Sequence, residues 1–133
     1  MRMITAYKHE DSLEIKETGL DQDVAWLNIV DPEREEIETL MGLYDIPEDF
    51  LRDPLDTEES ARIEFDDDTG YSLIIIDLPI VNQTNQKVLS FITIPLGIII
   101  GNKKIMTVCS EENDFLEFYA RQNINLNLSL IHI

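Results

Sequence analysis

Carboxylates are the residues of this sequence with the most chemistry to offer. The chain carries 27 acidic residues against 10 basic ones, a formal net charge of −17. Carboxylate oxygens are ligands that hard divalent cations prefer. The segment DDDTG at 66–70 suggests a calcium loop, but the sixth position counted from Asp66 is Tyr71, not glycine, and the twelfth is Asp77, not glutamate. We therefore interpret this segment as a solvated hairpin turn.

Catalytic sets of other kinds have little support in the sequence. The two histidines, His9 and His132, lie near the termini, and the single cysteine, Cys109, has no histidine close to it in sequence. One cysteine and two terminal histidines do not form a set of zinc ligands. No glycine-rich loop follows a strand, as a phosphate or dinucleotide site requires. We expect a protein that is not an enzyme, with Cys109 a buried, unreactive thiol in a reducing compartment.

The net charge excludes some partners and leaves others open. An acidic protein lacks the basic surface that nucleic acids require, and anionic lipid headgroups repel it. Residues 31–68 hold 16 acids and 3 bases, a balance of −13. Such a surface suits cations or basic partners, and it also keeps a protein soluble. The longest uncharged apolar stretch, 88–101, is shorter than the roughly 20 residues of a membrane helix. We expect one soluble domain over 1–133.

The elements that would position these acids are centred on residues 24–56. An apolar strand, 24–30, leads to Asp31 as helix N-cap and Pro32 as the first helical residue. Pro47 is expected to begin a second, shorter helix, which Pro54 limits. Apolar residues at i, i+3, i+4 and i+7 give the first helix one buried stripe: Ile37, Leu40, Met41 and Tyr44.

The remaining patterns predict further strands. They cover 1–8, 13–17, 61–66, 71–78, 87–94 and 104–109, with 61–66 and 71–78 forming a hairpin and 96–100 continuing after a bend, bulge or edge at Pro95. Helical spacing over 111–121 predicts a helix with Ser110 as its N-cap. The fold class is therefore α/β: a mixed, largely antiparallel sheet of roughly five to seven strands, layered with helices.

Three residues inside the strands call for a specific interpretation. Trp26 is expected in the core, and Asn28 points to the same side of its strand, so that its amide needs partners if it is buried. Asp77 interrupts an apolar run, and either a hydrogen-bonded residue at a strand end or an acid of raised pKa would explain it. We favour the strand end, because Pro79 follows.

Several segments together resemble the soluble N-terminal domain of the CorA family of magnesium transporters. The matching segments follow in the same order: Trp26-Leu27-Asn28-Ile29, the helix after it, Tyr44-Asp45-Ile46-Pro47, Leu51-Arg52-Asp53, Arg62-Ile63-Glu64-Phe65 and Lys104-Ile105-Met106-Thr107-Val108. The resemblance covers about residues 24–108 and implies a mixed sheet between helical layers. It implies a linker or helix near 123–133, where the alternating pattern alone predicts a strand. The Gly-Met-Asn signature of the family's first membrane helix is absent from this sequence.

The resemblance also implies a metal ligand. In CorA-like proteins an acid at the place of Asp53 helps to bind a regulatory magnesium ion between neighbouring subunits, with further acids on a helical stalk. Here Arg52 stands where some relatives have another acid, and Pro54 is a second departure. A positive neighbour disfavours cation binding, and without the stalk the site would be incomplete and magnesium binding weak. The alternative is that Asp53 is a solvated residue at the end of a helix.

The function that the resemblance implies is regulation of ion transport. We expect the domain of a divalent cation transporter that lies on the cytoplasmic face of the cell membrane, senses intracellular magnesium and contributes to gating, with stalk and membrane helices absent from 1–133. The partners implied are neighbouring subunits of a homopentamer, while the chain alone is expected to be a monomer or weak dimer. Two alternatives remain open, the same domain of a zinc-transporting relative and a stand-alone acidic domain that binds a basic protein.

Overall fold

The chain folds around one seven-stranded sheet in the computed structural model, which describes residues 4–10, 14–20, 24–82 and 90–113. The strands are β1 (Ile4–Glu10), β2 (Glu14–Thr18), β3 (Trp26–Val30), β4 (Arg62–Phe65), β5 (Ser72–Asn82), β6 (Ser90–Gly101) and β7 (Lys104–Cys109). Their spatial order is β2-β1-β3-β7-β6-β5-β4. Neighbours are antiparallel, including the predicted β4–β5 hairpin, except for the parallel pair β3–β7. The predicted mixed, largely antiparallel sheet is confirmed.

Two helices follow β3, close to where the prolines predicted them. They are α1 (Arg34–Tyr44) and α2 (Glu48–Arg52), and a 3₁₀ helix, Asp53–Leu55, continues directly from α2. The predicted N-cap of α1 is wrong: Asp31 has a positive φ of 42° at the turn after β3, and Glu33 is the N-cap. The Glu36 side chain accepts a hydrogen bond from the Glu33 backbone N–H at 2.9 Å. The N-cap therefore lies two positions after the predicted Asp31. Within the described residues, no helix has the length and apolar content needed to cross a membrane.

The helices bury one face of the sheet. The predicted stripe of α1 is confirmed, since Ile37, Leu40 and Tyr44 are buried and Met41 packs partly against the same cluster. Their partners in that cluster come from five strands and α2, among them Phe50, Leu51, Leu73, Ile75, Ile99, Met106 and Val108. The Tyr71 hydroxyl donates a hydrogen bond to the Tyr44 carbonyl at 2.6 Å, which ties the end of α1 to the sheet.

The opposite face of the sheet carries a second apolar cluster. It includes Trp26, Val30, Leu78, Ile94, Leu96, Ile105 and Cys109. Trp26 is buried as predicted and stacks on Tyr7 with ring centroids 4.7 Å apart. Its indole N–H donates to Thr107 Oγ1 at 3.0 Å, and that hydroxyl lies 3.0 Å from Asn28 Oδ1, to which it donates. The amide of Asn28 thus finds the partner that its half-buried position requires.

Pro79 does not end β5, contrary to the prediction, whereas Pro95 lies where β6 has an open edge, which is one of the alternatives predicted for it. β5 runs through Pro79 to Asn82, so Asp77 lies in mid-strand, exposed, and opposite Pro95 of β6. β5 tolerates Pro79 because β4 pairs with β5 only over 72–75. β6 tolerates Pro95 because β7 pairs with β6 only over 97–101. At both prolines the described strand has one neighbour, so a missing N–H faces an open side. Asp77 is not a strand-end residue.

The C-terminal predictions fall mostly outside the described residues. The tail at 123–133 and residues 114–121 of the predicted helix belong to that part of the chain. Residues 111–113 are described and are not helical, so the prediction that a helix begins at Glu111 after Ser110 is wrong.

Candidate metal site

Asp53 lies at the junction of α2 and the 3₁₀ helix, where the chain returns to the sheet. Pro47 precedes α2, and Glu48 and Asp49 occupy its first turn, where acids interact favourably with the helix dipole. Phe50 and Leu51 are buried and anchor the helix against the core. The Asp53 backbone N–H donates to the Asp49 carbonyl, so the two aspartates are one helical turn apart on the same side.

Pro54 holds the junction against the sheet. The proline is buried and lies over Gly97 of β6, so close that a Cβ atom at Gly97 would be 2.3 Å from the Pro54 Cγ. Only glycine leaves room for the ring at this distance. Pro54, which departs from the family pattern in the sequence, therefore has a packing role and places the neighbouring Asp53 beside the sheet edge.

The sheet edge beside Asp53 is β4, whose side chains alternate between two environments. Ile63 and Phe65 are 78% and 60% exposed. Arg62 and Glu64 are opposite Ile75 and Leu73 of β5, which pack in the core cluster under the helices. Residues paired across antiparallel strands share a face, so Arg62 and Glu64 lie on the same side of the sheet as α2.

Three carboxylates meet at this place. Oxygens of Asp49, Asp53 and Glu64 lie within 4.8 Å of one another. We call these three residues the acidic triad. Asp49 is exposed, while Asp53 and Glu64 are partly buried. Three carboxylate oxygens at this spacing match, in kind, the oxygen ligands of magnesium or calcium.

A positively charged group already lies among these carboxylates. Arg62 Nη2 donates to Asp53 Oδ2 at 2.6 Å, and Arg62 Nε lies 3.4 Å from Glu64 Oε2. Its remaining terminal nitrogen, Nη1, pairs with Glu59 Oε1. The Arg62 side chain is 30% exposed. Burial opposes its charge, but the hydrogen bond that Arg62 donates to Asp53 and the charges of Glu59 and Asp53 raise the pKa of Arg62 above its usual value. The guanidinium therefore stays protonated at any physiological pH.

The acidic triad thus fits a divalent cation in its donor chemistry, with one condition. Magnesium ligands stand about 2.0–2.1 Å from the ion. Asp53 Oδ2 already accepts a hydrogen bond at 2.6 Å from the Arg62 guanidinium, which has the same sign of charge as the metal ion. An ion reaches this oxygen only if Arg62 moves away, whereas Asp49 has no contact with Arg62 among the ion pairs of the described residues.

The arginine that contacts Asp53 is Arg62, and not Arg52, which the sequence suggested. Arg52 is adjacent to Asp53 in sequence but pairs with Glu48 at 3.1 Å, as an exposed i,i+4 pair on α2. Arg62, Glu64 and Asp49 were not predicted as neighbours of Asp53. The i,i+4 spacing of Asp49 and Asp53 was a visible signal, and so was the alternation that places Arg62 and Glu64 on one face of β4.

The segment 66–70 and Cys109, the two other places where the sequence offered reactive or metal-binding groups, have structural roles. In the segment 66–70, Asp66 Oδ2 accepts the Thr69 N–H at 3.0 Å and the Thr69 hydroxyl at 2.6 Å, and Gly70 has a φ of 81°. This is the self-contained hairpin turn that the sequence predicted. Cys109 is buried as predicted, and burial raises its pKa to about 11, which supports the prediction of an unreactive thiol. His132 lies outside the described residues.

Comparisons with known proteins agree on one family. The family model for the CorA-like Mg²⁺ transporter protein matches residues 21–128. The complete CorA magnesium transporter from Methanocaldococcus jannaschii superimposes with a TM-score of 0.70 at 21% identity, over 92% of this chain and 37% of that one. The soluble domain of CorA from the same organism gives a TM-score of 0.69 at 26% identity, over 89% and 44%. This chain therefore spans less than half the length of either match. No curated protein sequence matches it.

Proposed function

The chain belongs to the CorA-like Mg²⁺ transporter family, and we propose that it is the cytosolic regulatory domain of a divalent cation transporter. In this proposal it senses intracellular magnesium and contributes to gating, while the pore belongs to the part of the relatives that this chain does not match. The similarity to a CorA soluble domain over 89% of the chain supports the assignment. Transporters of this family move ions and are not enzymes.

The observation that carries the regulatory role is the position of Asp53. It lies at a partly exposed junction, within 4.8 Å of two further carboxylates, in the acidic half of the chain. Carboxylates that face a neighbouring subunit repel its acids unless a cation neutralises both. Cation occupancy at Asp53 would therefore favour one arrangement of subunits over another, which is the requirement for a ligand to control gating.

The proposed partners are neighbouring subunits of a homo-oligomer. A site shared between subunits would receive its remaining ligands from the neighbour, and magnesium gives up its waters reluctantly. In the chain alone, Asp53 is also already paired with Arg62. We expect weak magnesium binding by the chain, dominated by diffuse attraction to its surface and weakened by salt.

A two-part experiment tests this proposal. Calorimetry of the chain with MgCl₂ at low and physiological salt is expected to show weak, salt-sensitive binding that Asp53→Ala changes little. In the full-length parent, Asp53→Ala is expected to weaken inhibition of transport by internal magnesium, measured as ion flux. Glu48→Ala, on the exposed side of α2, serves as the control for loss of one acid. Unchanged inhibition in the Asp53→Ala parent would remove Asp53 from the regulatory site.

A further inference from the structure

The acidic triad is occupied by a cation that the protein itself supplies. Arg62 is the basic side chain that contacts Asp53 and Glu64, at 2.6 Å and 3.4 Å, in the described part of the chain. The nearest other arginine along the chain, Arg52, is engaged with Glu48 instead. The guanidinium thus takes the position that a divalent cation bound to Asp53 Oδ2 would need.

We propose that Arg62 is a resident counter-ion of Asp53 that competes with divalent cations and sets the cation concentration at which the site fills. The proposal rests on Asp53 being the metal-binding carboxylate of the proposed function. It adds a residue from a different element, β4, and assigns it the opposite effect on binding: Asp53 attracts the ion, and Arg62 excludes it.

The geometry makes the competition direct. Arg62 and an incoming ion would use the same oxygen, Oδ2 of Asp53, and two cations at the ligand distance of one oxygen repel strongly. Of the acids that Arg62 contacts, Asp53 and Glu64 belong to the acidic triad and Glu59 does not. Glu59 belongs to the loop before β4 and lies outside the triad, so it retains Arg62 after Asp53 has been released. Arg62 therefore keeps one carboxylate partner when its pair with Asp53 breaks.

The same contacts link cation binding to the edge of the sheet. β4 is an edge strand of the sheet and has four residues. Arg62 connects β4 to the end of α2 through its ion pair with Asp53. When the Arg62–Asp53 pair is broken, the edge strand loses a connection to the helical layer. Occupancy at Asp53 is thus expected to change the local stability of β4, which provides a readout independent of transport.

The test compares magnesium binding by variants of this chain that differ at one arginine. Arg62→Gln is expected to raise the magnesium affinity by roughly tenfold over wild type at low salt, since it removes a unit charge within a few ångströms of the ion. Arg52→Gln, which makes the same change in net charge one residue from Asp53, is the matched control and is expected to change affinity less than threefold. Arg62→Lys keeps the charge and is expected to stay near wild type. Arg62→Gln combined with Asp53→Ala is expected to lose the gain.

Two results would overturn the proposal: equal affinities for Arg62→Gln and Arg52→Gln, or a gain that persists in the double variant. If Arg62→Gln fails to fold by circular dichroism, wild-type protein answers the question. In an NMR titration with MgCl₂, the Arg62 Nε–H signal must shift together with the Asp53 carboxyl carbon, and an unmoved Arg62 signal beside a shifting Asp53 would contradict competition. Transport regulation by Asp53 in the parent is measured separately, so each proposal is able to fail alone.

Discussion

At the scale of single residues, Cys109 gives the most direct test of the core. It is the only cysteine in the chain, so labelling is unambiguous. Burial raises its pKa from 9.0 to about 11, which lowers the reactive thiolate fraction at pH 8 by about a hundredfold. We expect native protein to react with iodoacetamide at least that much more slowly than protein unfolded in urea, as followed by mass spectrometry. Comparable rates would mean that the second apolar face is open to solvent.

Residues differ in how far the sequence predicted their surroundings. Trp26, Asn28 and Cys109 were placed correctly, because alternation along a strand decides which side chains share a face. The pair Arg62–Asp53 was not predicted, since it depends on how β4 packs against the end of α2 and not on spacing along the chain. The N-cap at Glu33 was missed for a different reason: the left-handed turn at Asp31 moved the helix start, and backbone angles of single residues leave little trace in composition.

At the scale of elements, the contact between the 3₁₀ helix and β6 decides where Asp53 lies. We expect Gly97→Ala to destabilise the protein by about 1–3 kcal/mol, because the new methyl group would overlap Pro54. Urea unfolding followed by Trp26 fluorescence measures the change. Gly42→Ala is the matched control: its Cβ would meet nothing within 4 Å, and alanine in α1 is expected to stabilise by roughly 0.5–1 kcal/mol. Similar effects of the two variants would show that Pro54 does not press on Gly97.

Elements were predicted more reliably than their ends. The β4–β5 hairpin follows from two apolar runs around a DDDTG turn, and the strand–helix–helix unit follows from its prolines and apolar stripe. The lengths of β5 and β6 were underestimated, because proline is excluded only where a neighbouring strand lies on the side that the missing N–H would face. Whether a strand has one neighbour or two at Pro79 or Pro95 depends on the register with β4 and β7, which are separate strands.

At the scale of the whole molecule, the strand order required more than local pattern. The parallel pairing of β3 with β7 joins residues about 80 positions apart, as in the contact of Trp26 with Thr107. Periodicity predicts strands and their buried faces but not which strand lies beside which. The family resemblance, which spanned both strands, implied a mixed sheet between helical layers. The family match over 21–128 confirms the resemblance, and the described helices cover one face of the sheet.

The net charge of the whole molecule opposes the pairing of two copies through an exposed edge of the sheet. β4 is an edge strand whose Ile63 and Phe65 are 78% and 60% exposed, which favours pairing between chains. A charge of −17 on each copy opposes it at low salt, and this repulsion is screened beyond about 8 Å at physiological ionic strength. We therefore expect sedimentation to show a monomer at low salt and a weak dimer that grows with added NaCl. Phe65→Lys should abolish the dimer, Leu43→Lys on α1 should not, and a stable pentamer at low salt would show that the chain carries a strong assembly surface outside β4.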